Sequence, residues 1–383
     1  MTIMRYCKNC LTTNLRPNAS FDDQGICIAC NYALKHYSTP SSTKLSDLIV
    51  KIKQTKKKSK SKSQYDCIVG VSGGKDSTRQ AHWVKDRLGL TPLLVCAAYP
   101  PLQMSNIGAN NLANLLRIGF DLISLCPAPK SSSLLSLESF RQFGNVCKST
   151  EMSLFSTVPR LAIDIGVNLI FWGENPALQV GDAKSLGTDE FDGNNLRKMN
   201  TLTDGGTAWI QSALDDAYKS DHYIYPDEIL FDQKKISIFY LGAAWDDWSN
   251  HSNSCYAALN GLTLRPHEEE FTGDISNASM LDEEFTNINM MLKYYKYGFG
   301  RATDLVCEKI RDGSLTRDEG IKLVEKYDGV CDDKIIQKYC KYVNIDVDKF
   351  WEITKQWTNT NLFNINLSQR PQKLFKVGED YSG

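Results

Sequence analysis

The sequence predicts an α/β protein built on a doubly wound parallel sheet, with an N-terminal four-cysteine zinc ribbon and a C-terminal helical region. Three observations carry this. Apolar β-branched runs alternate with amphipathic helical stretches through the middle of the chain, and such alternation requires right-handed crossovers between parallel strands. Four of the twelve cysteines form two Cys-x2-Cys pairs within the first thirty residues, the spacing of a zinc site. Beyond residue 300 the apolar residues recur at helical spacing, as in Leu305, Cys307 and Ile310.

Composition narrows the class. The chain has 383 residues, 42% hydrophobic and 23% charged, which excludes disordered, collagenous and coiled-coil proteins. At about 100–200 residues per domain it has room for two or three units. No run approaches the roughly 18 apolar residues that span a bilayer. The opening MTIMRYCKNC lacks the apolar stretch of a secretory signal, so no membrane association and a cytoplasmic location are expected.

Residues 1–40 are expected to form the ribbon. Cys7 and Cys10, then Cys27 and Cys30, can converge on one metal from two tight turns. The polar segment between them has little core, and metal ligation worth about 10–16 kcal/mol can stand in for burial. Four thiolates leave no open coordination position, so the Zn2+ is expected to be structural. Residues 41–64 are expected to be a basic linker. Residues 1–64 hold 12 Lys and Arg against 3 Asp and Glu, and seven lysines lie in 51–62 without an aromatic residue among them. Base-stacking platforms need aromatic rings, so a solvated linker is favoured and nucleic acid is an unlikely partner.

The run YDCIVGV at 65–71 reads as the first strand. It leads into Ser72-Gly73-Gly74-Lys75-Asp76-Ser77 and then the helical TRQAHWVKDRLG. Strand, glycine-rich turn and helix start aim free backbone N–H groups and the positive helix end at an anion. Gly73 and Gly74 allow close approach, Ser72 and Ser77 add hydroxyls, and Lys75 adds charge. The G-x4-G-K-[ST] pattern is absent, and Asp76 fits such a cradle if it holds Mg2+ bridging to phosphate. Further strands are expected at 91–98, 120–126 and 167–173, with helices at 105–118, 133–147 and 151–165. Cys67 and Cys96 fall within strands and read as core. Ligands sit beyond the carboxyl ends of such strands, which places Ala97, Ala98 and Gly173-Glu174-Asn175 beside the loop. Helices are expected at 302–311, 316–327, 333–342 and 347–357.

The hexapeptide 72–77 resembles the SGGxDS PP-loop of the ATP pyrophosphatases. That resemblance implies cleavage of ATP between its α and β phosphates, adenylation of a carbonyl oxygen, and displacement of AMP by a nitrogen or sulfur nucleophile. The string LKYYKYGFGRATDLVCEKIRDGSLTRDEGIKLVEKYDG (292–329), with the four cysteines, the loop and Gly173-Glu174-Asn175, is similar to the N-acetyl sugar amidotransferase family from Cys7 to about residue 357. The similarity implies a bacterial enzyme of O-antigen lipopolysaccharide or flagellin-glycan synthesis. It would use ATP and Mg2+ to turn the acetamido group of a nucleotide-activated diacetamido sugar into acetamidino, releasing AMP and pyrophosphate. The chain holds no glutaminase nucleophile, so ammonia is expected from a partner glutaminase subunit of the kind that feeds imidazole-glycerol-phosphate synthesis. One departure is the run GENPALQVGD, where the family usually has an acidic residue and a glycine pair after Gly-Glu-Asn; it marks a different sugar side of the pocket.

On this reading residues 65–270 form the PP-loop domain with a substrate lid at 182–206, and 271–383 the helical region. Ser72, Gly73, Gly74, Lys75, Asp76 and Ser77 bind pyrophosphate and magnesium. Lys75, Asp76, Glu174 and Asn175 are the catalytic candidates, the last two positioning ammonia or the acetamido group. Arg301 is either a bidentate partner for substrate phosphate or an ion-pair partner of Asp304. The segment 245–256, with Trp245, Trp248, Asp246 and Asp247, is a candidate sugar platform or plain core. A thiolation-type tRNA-modifying PP-loop enzyme is the alternative, suggested by the lysine run and the zinc site. A non-catalytic scaffold is the third reading.

Overall fold

The computed structural model describes residues 3–38, 41–58, 63–173, 192–203, 205–214, 221–244 and 247–383. Its centre is a parallel sheet of five strands: β1 (Cys67–Gly70), β2 (Pro92–Ala97), β3 (Asp121–Leu125), β4 (Leu169–Trp172) and β5 (Ser237–Tyr240). The order is β3-β2-β1-β4-β5, with every pairing parallel. The chain therefore leaves β1 toward one edge and returns to its other side at β4, which puts a topological switch point between β1 and β4. Strands β2 and β4 are buried along their whole length, as strands covered on both faces must be. The edge strand β3 is mostly exposed. Four strands fall where the alternating runs place them. β5 has no counterpart among the expected strands, although it lies in the apolar run ISIFYLGAA at 236–244.

Helices cover both faces. Helix α1 (Ile28–Ser38) follows the second cysteine turn, α2 is Ser41–Lys58, α3 Lys75–Asp86, α4 Asn106–Arg117, α5 Pro129–Phe143 and α6 Lys148–Ile165. Leu48 and Ile52 of α2, Trp83 and Val84 of α3 and Leu115 of α4 share one core with the sheet. Val158 and Ala162 of α6 build the core on the opposite face.

Two expectations are corrected here. The segment expected to be a solvated linker is helical over 41–58, with Leu48 fully buried and Ile52 nearly so. The apolar spacing Leu45, Leu48, Ile52 is helical, and the surrounding lysines conceal it in a composition count. Residues 59–62 lie outside the described residues. The ribbon, expected to stand on metal ligation alone, also shares a core with the distant helices. Met4, Tyr6, Cys7, Cys10 and Leu11 pack in one cluster with Phe285, Ile288, Val306 and Tyr339. Met4 also pairs with Tyr381, and Asp380 accepts from the Tyr6 amide.

Of the C-terminal helices Thr286–Tyr297, Arg301–Arg311, Arg317–Tyr327, Asp333–Val343 and Val347–Trp357, the last four follow the expected spans closely and the first has no counterpart among them. Their starts are written locally: Thr316 and Glu319 form a capping box, and Asp332 and Asp346 cap the next two. No described helix is long and apolar enough to cross a membrane.

Candidate functional site

The four knuckle sulfurs lie within 4.8 Å of one another and all four cysteines are buried. Tetrahedral zinc with bonds of about 2.3 Å places its sulfurs about 3.8 Å apart, and Cys10 Sγ and Cys27 Sγ are 3.7 Å apart. The donor set fits Zn2+. Backbone amides of Thr12 and Cys27 point at Cys10 and Cys7 at 3.4 and 3.3 Å, and the Asn9 side-chain amide donates to Cys30 at 3.3 Å. The thiols act as one set: hydrogen bonds from Cys27 and Cys30 lower Cys10, and the same contacts raise Cys27 and Cys30. Burial works against the charge on Arg311, but the sulfurs of Cys307, Cys10, Cys30 and Cys27 outweigh it and keep that guanidinium ionised. A tetrathiolate zinc carries net negative charge, and Arg311 is placed to offset it.

The second site grows from the end of β1. After Gly70 the chain turns through 72–74 and enters α3 at Lys75, with Gly74 as the extended N-cap and no side chain capping the helix. The first amides of α3 therefore have no internal acceptor and face the switch point. Gly73 has φ +85°, and a Cβ there would meet the Leu112 backbone nitrogen at 2.9 Å. Only glycine closes this turn without displacing α4. At Gly173, at the end of β4, a Cβ would stand 2.6 Å from Gln80 Oε1, a side-chain end that can shift, and 3.6 Å from the Asp76 backbone. Ser77 and Thr78 hydroxyls donate back to the Gly74 carbonyl at 3.2 and 2.8 Å, which tightens the first turn.

The side chains form a linked polar set. Lys75 Nζ is 2.5 Å from Asp76 Oδ2, and Asn253 donates to the other Asp76 oxygen. Asn253 is oriented by Arg79, which donates to its side-chain oxygen at 2.6 Å and to the Asp247 carbonyl at 2.8 Å. Arg79 in turn lies over the Trp83 ring at 4.5 Å. The loop opens on a cavity of about 350 Å3, whose walls include Lys75, Asp76, Asp282, Arg301, Asp304 and Glu308. Burial raises the Asp282 carboxyl, against hydrogen bonds from Tyr99 and Ser72. Burial likewise raises Glu308, with Lys75 and Arg311 opposing. At Asp304 burial is overcome by Arg16 and Lys293, which hold its carboxyl well below the carboxylate range. A small apolar recess lies on the other side of the loop, between the ends of β1, β2 and β4, lined by Gly70, Val95, Ala97, Trp172 and Gly173.

The structure thus brings together Ser72, Gly74, Lys75, Asp76 and Arg301 on one cavity, although 224 residues separate Arg301 from Ser77 in sequence. Asp304 is paired with Arg16 and Lys293, so the expected one-to-one pair with Arg301 is replaced by a cluster. Glu174 and Asn175 lie outside the described residues, as do Trp245, Asp246 and, within the segment 182–206, residues 182–191 and 204; its described part holds a 3-10 turn at Asn194–Lys198 and a short helix at Asn200–Thr203. Trp248 is core, buried and 5.5 Å from the Trp83 ring, and Asp247 is committed to Arg79; neither forms a sugar platform. Asp282, Glu308 and Asn253 escaped the sequence reading. Glu308 sits inside the string 292–329, but its approach to Lys75 is purely tertiary.

Residues 270–375 match the family of the C-terminal domain of WbpG-like LPS biosynthesis proteins, which relates the chain to lipopolysaccharide biosynthesis. The matched stretch contains the cavity wall formed by Asp282, Arg301, Asp304 and Glu308. No curated protein matches the chain.

Proposed function

We propose that the chain is an ATP-dependent amidotransferase of PP-loop type that converts the acetamido group of a nucleotide-linked sugar to acetamidino during lipopolysaccharide synthesis. The observation that carries this is the uncapped glycine turn 72–74 at the switch point, facing a cavity whose far wall is the segment akin to LPS biosynthesis proteins. An amide carbonyl is a poor electrophile until its oxygen is made a leaving group. Attack of that oxygen on the α-phosphorus of ATP expels pyrophosphate and leaves an O-adenylyl imidate. Ammonia then adds, and AMP departs with the former amide oxygen.

The chain's residues suit these steps. The amides of the turn and the start of α3 would take the β and γ phosphates. Lys75, held by Asp76, can turn to phosphate when the carboxylate is needed elsewhere. Mg2+ bound there would neutralise charge developing on the phosphates. Among the described residues no three carboxylates come close enough to cage a metal, and Mg2+ is ordinarily held by one or two carboxylates plus substrate phosphates and water. Asp76, with Glu308 or Asp282 across the cavity, supplies that number. The apolar recess beside Ala97 and Gly173 would take the flat face of the adenosine. The zinc-bound knuckle would be structural, and ammonia would come from a separate glutaminase subunit. ATP and nucleotide sugars are cytoplasmic substrates, and the proposal places the chain there. The tRNA-modifying alternative rests on the lysine run at 51–62 and the zinc site, and draws nothing from the C-terminal match.

The test is product identification. With ATP, Mg2+, an ammonium salt and a UDP-linked diacetamido sugar, phosphorus NMR should show AMP and pyrophosphate. ADP and phosphate would reject the assignment. Asp76→Asn should lower the rate by about 100-fold or more, the scale of losing one preorganised electrostatic group at a reacting centre, while the thermal midpoint stays within a few degrees.

A further inference from the structure

Next to the loop cavity lies a larger one of about 690 Å3. Four segments distant in sequence wall it: the knuckle through Arg16, the turn between α5 and α6 through Phe143 and Lys148, the strip Met199–Thr203, and the helix Thr286–Tyr297 through Lys293. The two cavities share a partition. Arg16 and Lys293 line the larger one and both bond Asp304, which lines the smaller. Along α6, Glu151 faces the larger space and Leu154 the smaller, and Met290 and Thr286 do the same along the next helix. The offset is about one helical turn, roughly 5.4 Å.

Charge in this region is unbalanced. Arg16 and Lys293 share the carboxylate of Asp304, while Arg301, on the loop-cavity side, acts on both Asp304 and Glu308 and keeps a buried Nε without an acceptor. Among the described residues, Arg16, Lys148, Lys293 and Lys296 line the larger cavity against one carboxylate, Glu151, whose carboxyl is raised by burial. Buried cations in excess of their counter-ions are costly unless an anion completes them, and walls of low dielectric focus their field on whatever enters. The cation positions are fixed by packing. Arg16 lies over the Phe299 ring at 4.3 Å and Lys293 over the same ring at 4.7 Å. Lys148 donates to the Thr201 carbonyl at 3.0 Å and Lys296 to the Phe143 carbonyl at 2.6 Å. Phe143 and Tyr297, both half-buried, offer flat apolar surface. The volume is in the range of small-molecule sites, about 300–1,000 Å3.

We infer that this cavity binds the nucleoside diphosphate of the acceptor, with Arg16 and Lys293 on the phosphates and the base against Phe143 or Tyr297. The sugar would then reach across Asp304 to the loop cavity. This deepens the proposed function and rests on it for the direction of the sugar, but the binding of a nucleoside diphosphate here is testable by itself.

The test uses the full chain and two probes: UDP, and the ATP analogue with a methylene bridge between its α and β phosphates. Calorimetry should show UDP binding with the analogue present at saturation. Lys293→Met should weaken UDP at least tenfold and change the analogue's affinity less than threefold. Because Lys293 also pairs with Asp304, the unmodified protein supplies a second readout. In amine acylation followed by peptide mass spectrometry, UDP should protect Lys293 and Lys296, and the analogue Lys75. Absence of UDP binding, displacement of UDP by the analogue, or UDP binding that neither protects these lysines nor responds to Lys293→Met each overturns the assignment. A chain that binds and is protected by UDP, yet ignores the analogue, upholds the cavity and removes the PP-loop reading instead.

Discussion

At Gly73 the backbone is left-handed, with the Leu112 amide where a side chain would begin. Gly73→Ala forces both strain and a shift of α4, and should cost about 1–3 kcal/mol, read as a lowered midpoint in urea. Gly74, extended and open on its Cβ side apart from Ser72 Oγ at 3.3 Å, should tolerate alanine better in stability than in activity. The strand, glycine turn and helix start around 72–77 were legible in the sequence because that geometry is local and follows from neighbours along the chain. Asp282, Asn253 and Glu308 were not, because an isolated Asp or Asn carries no mark of what it will face. Glu283 adds a pH signature. Burial raises its carboxyl from 4.5 to about 7, despite hydrogen bonds from Thr286, Gln103 and the Phe285 amide. A carboxyl whose folded value exceeds its unfolded one contributes stability that is complete below the unfolded value and lost as pH rises through the folded one. Glu283→Gln should therefore remove a decline in stability between about pH 4.5 and 7. A mutant-minus-parent difference that is flat across this window contradicts it.

Among elements, α2 shows most plainly what composition hides. Its lysines suggested a linker, yet one apolar stripe suffices to dock it on the sheet. Leu48→Ala should cost about 2–5 kcal/mol, the range for emptying a packed leucine site. Lys53→Gln, on the exposed face, should change stability by less than about 0.5 kcal/mol. Comparable losses at both positions would return the segment to the linker reading. The strands β1 to β4 announce themselves by apolar runs, and the last four helices by periodic patterns and by cap residues such as Thr316 and Asp346. β5 escaped the sequence reading although it lies in the run ISIFYLGAA at 236–244 and is as long as β1 and β4; its place beside β4 is fixed by the register Leu169–Ser237 to Trp172–Tyr240.

For the molecule as a whole, the knuckle joins the two ends of the chain. Its sulfurs share a core with the C-terminal helices, and Arg16 reaches Asp304 at the wall of the loop cavity. A chelator strong enough to remove zinc should therefore loosen the C-terminal helices along with residues 3–38, seen as faster amide exchange across 286–357. Exchange confined to the knuckle would mean the shared packing contributes little. That coupling was invisible in the sequence, where the cysteines and the helices lie some 250 residues apart, and it is the reason a segment with so little core of its own can line a binding cavity. The chemistry proposed for that cavity turns on the fate of one atom. The measurement is to supply an acceptor whose acetamido oxygen is 18O and to weigh the AMP formed. Adenylation of the amide oxygen requires that the label leave in the AMP phosphate; AMP without it, with the label found in water or retained in the sugar product, contradicts the mechanism.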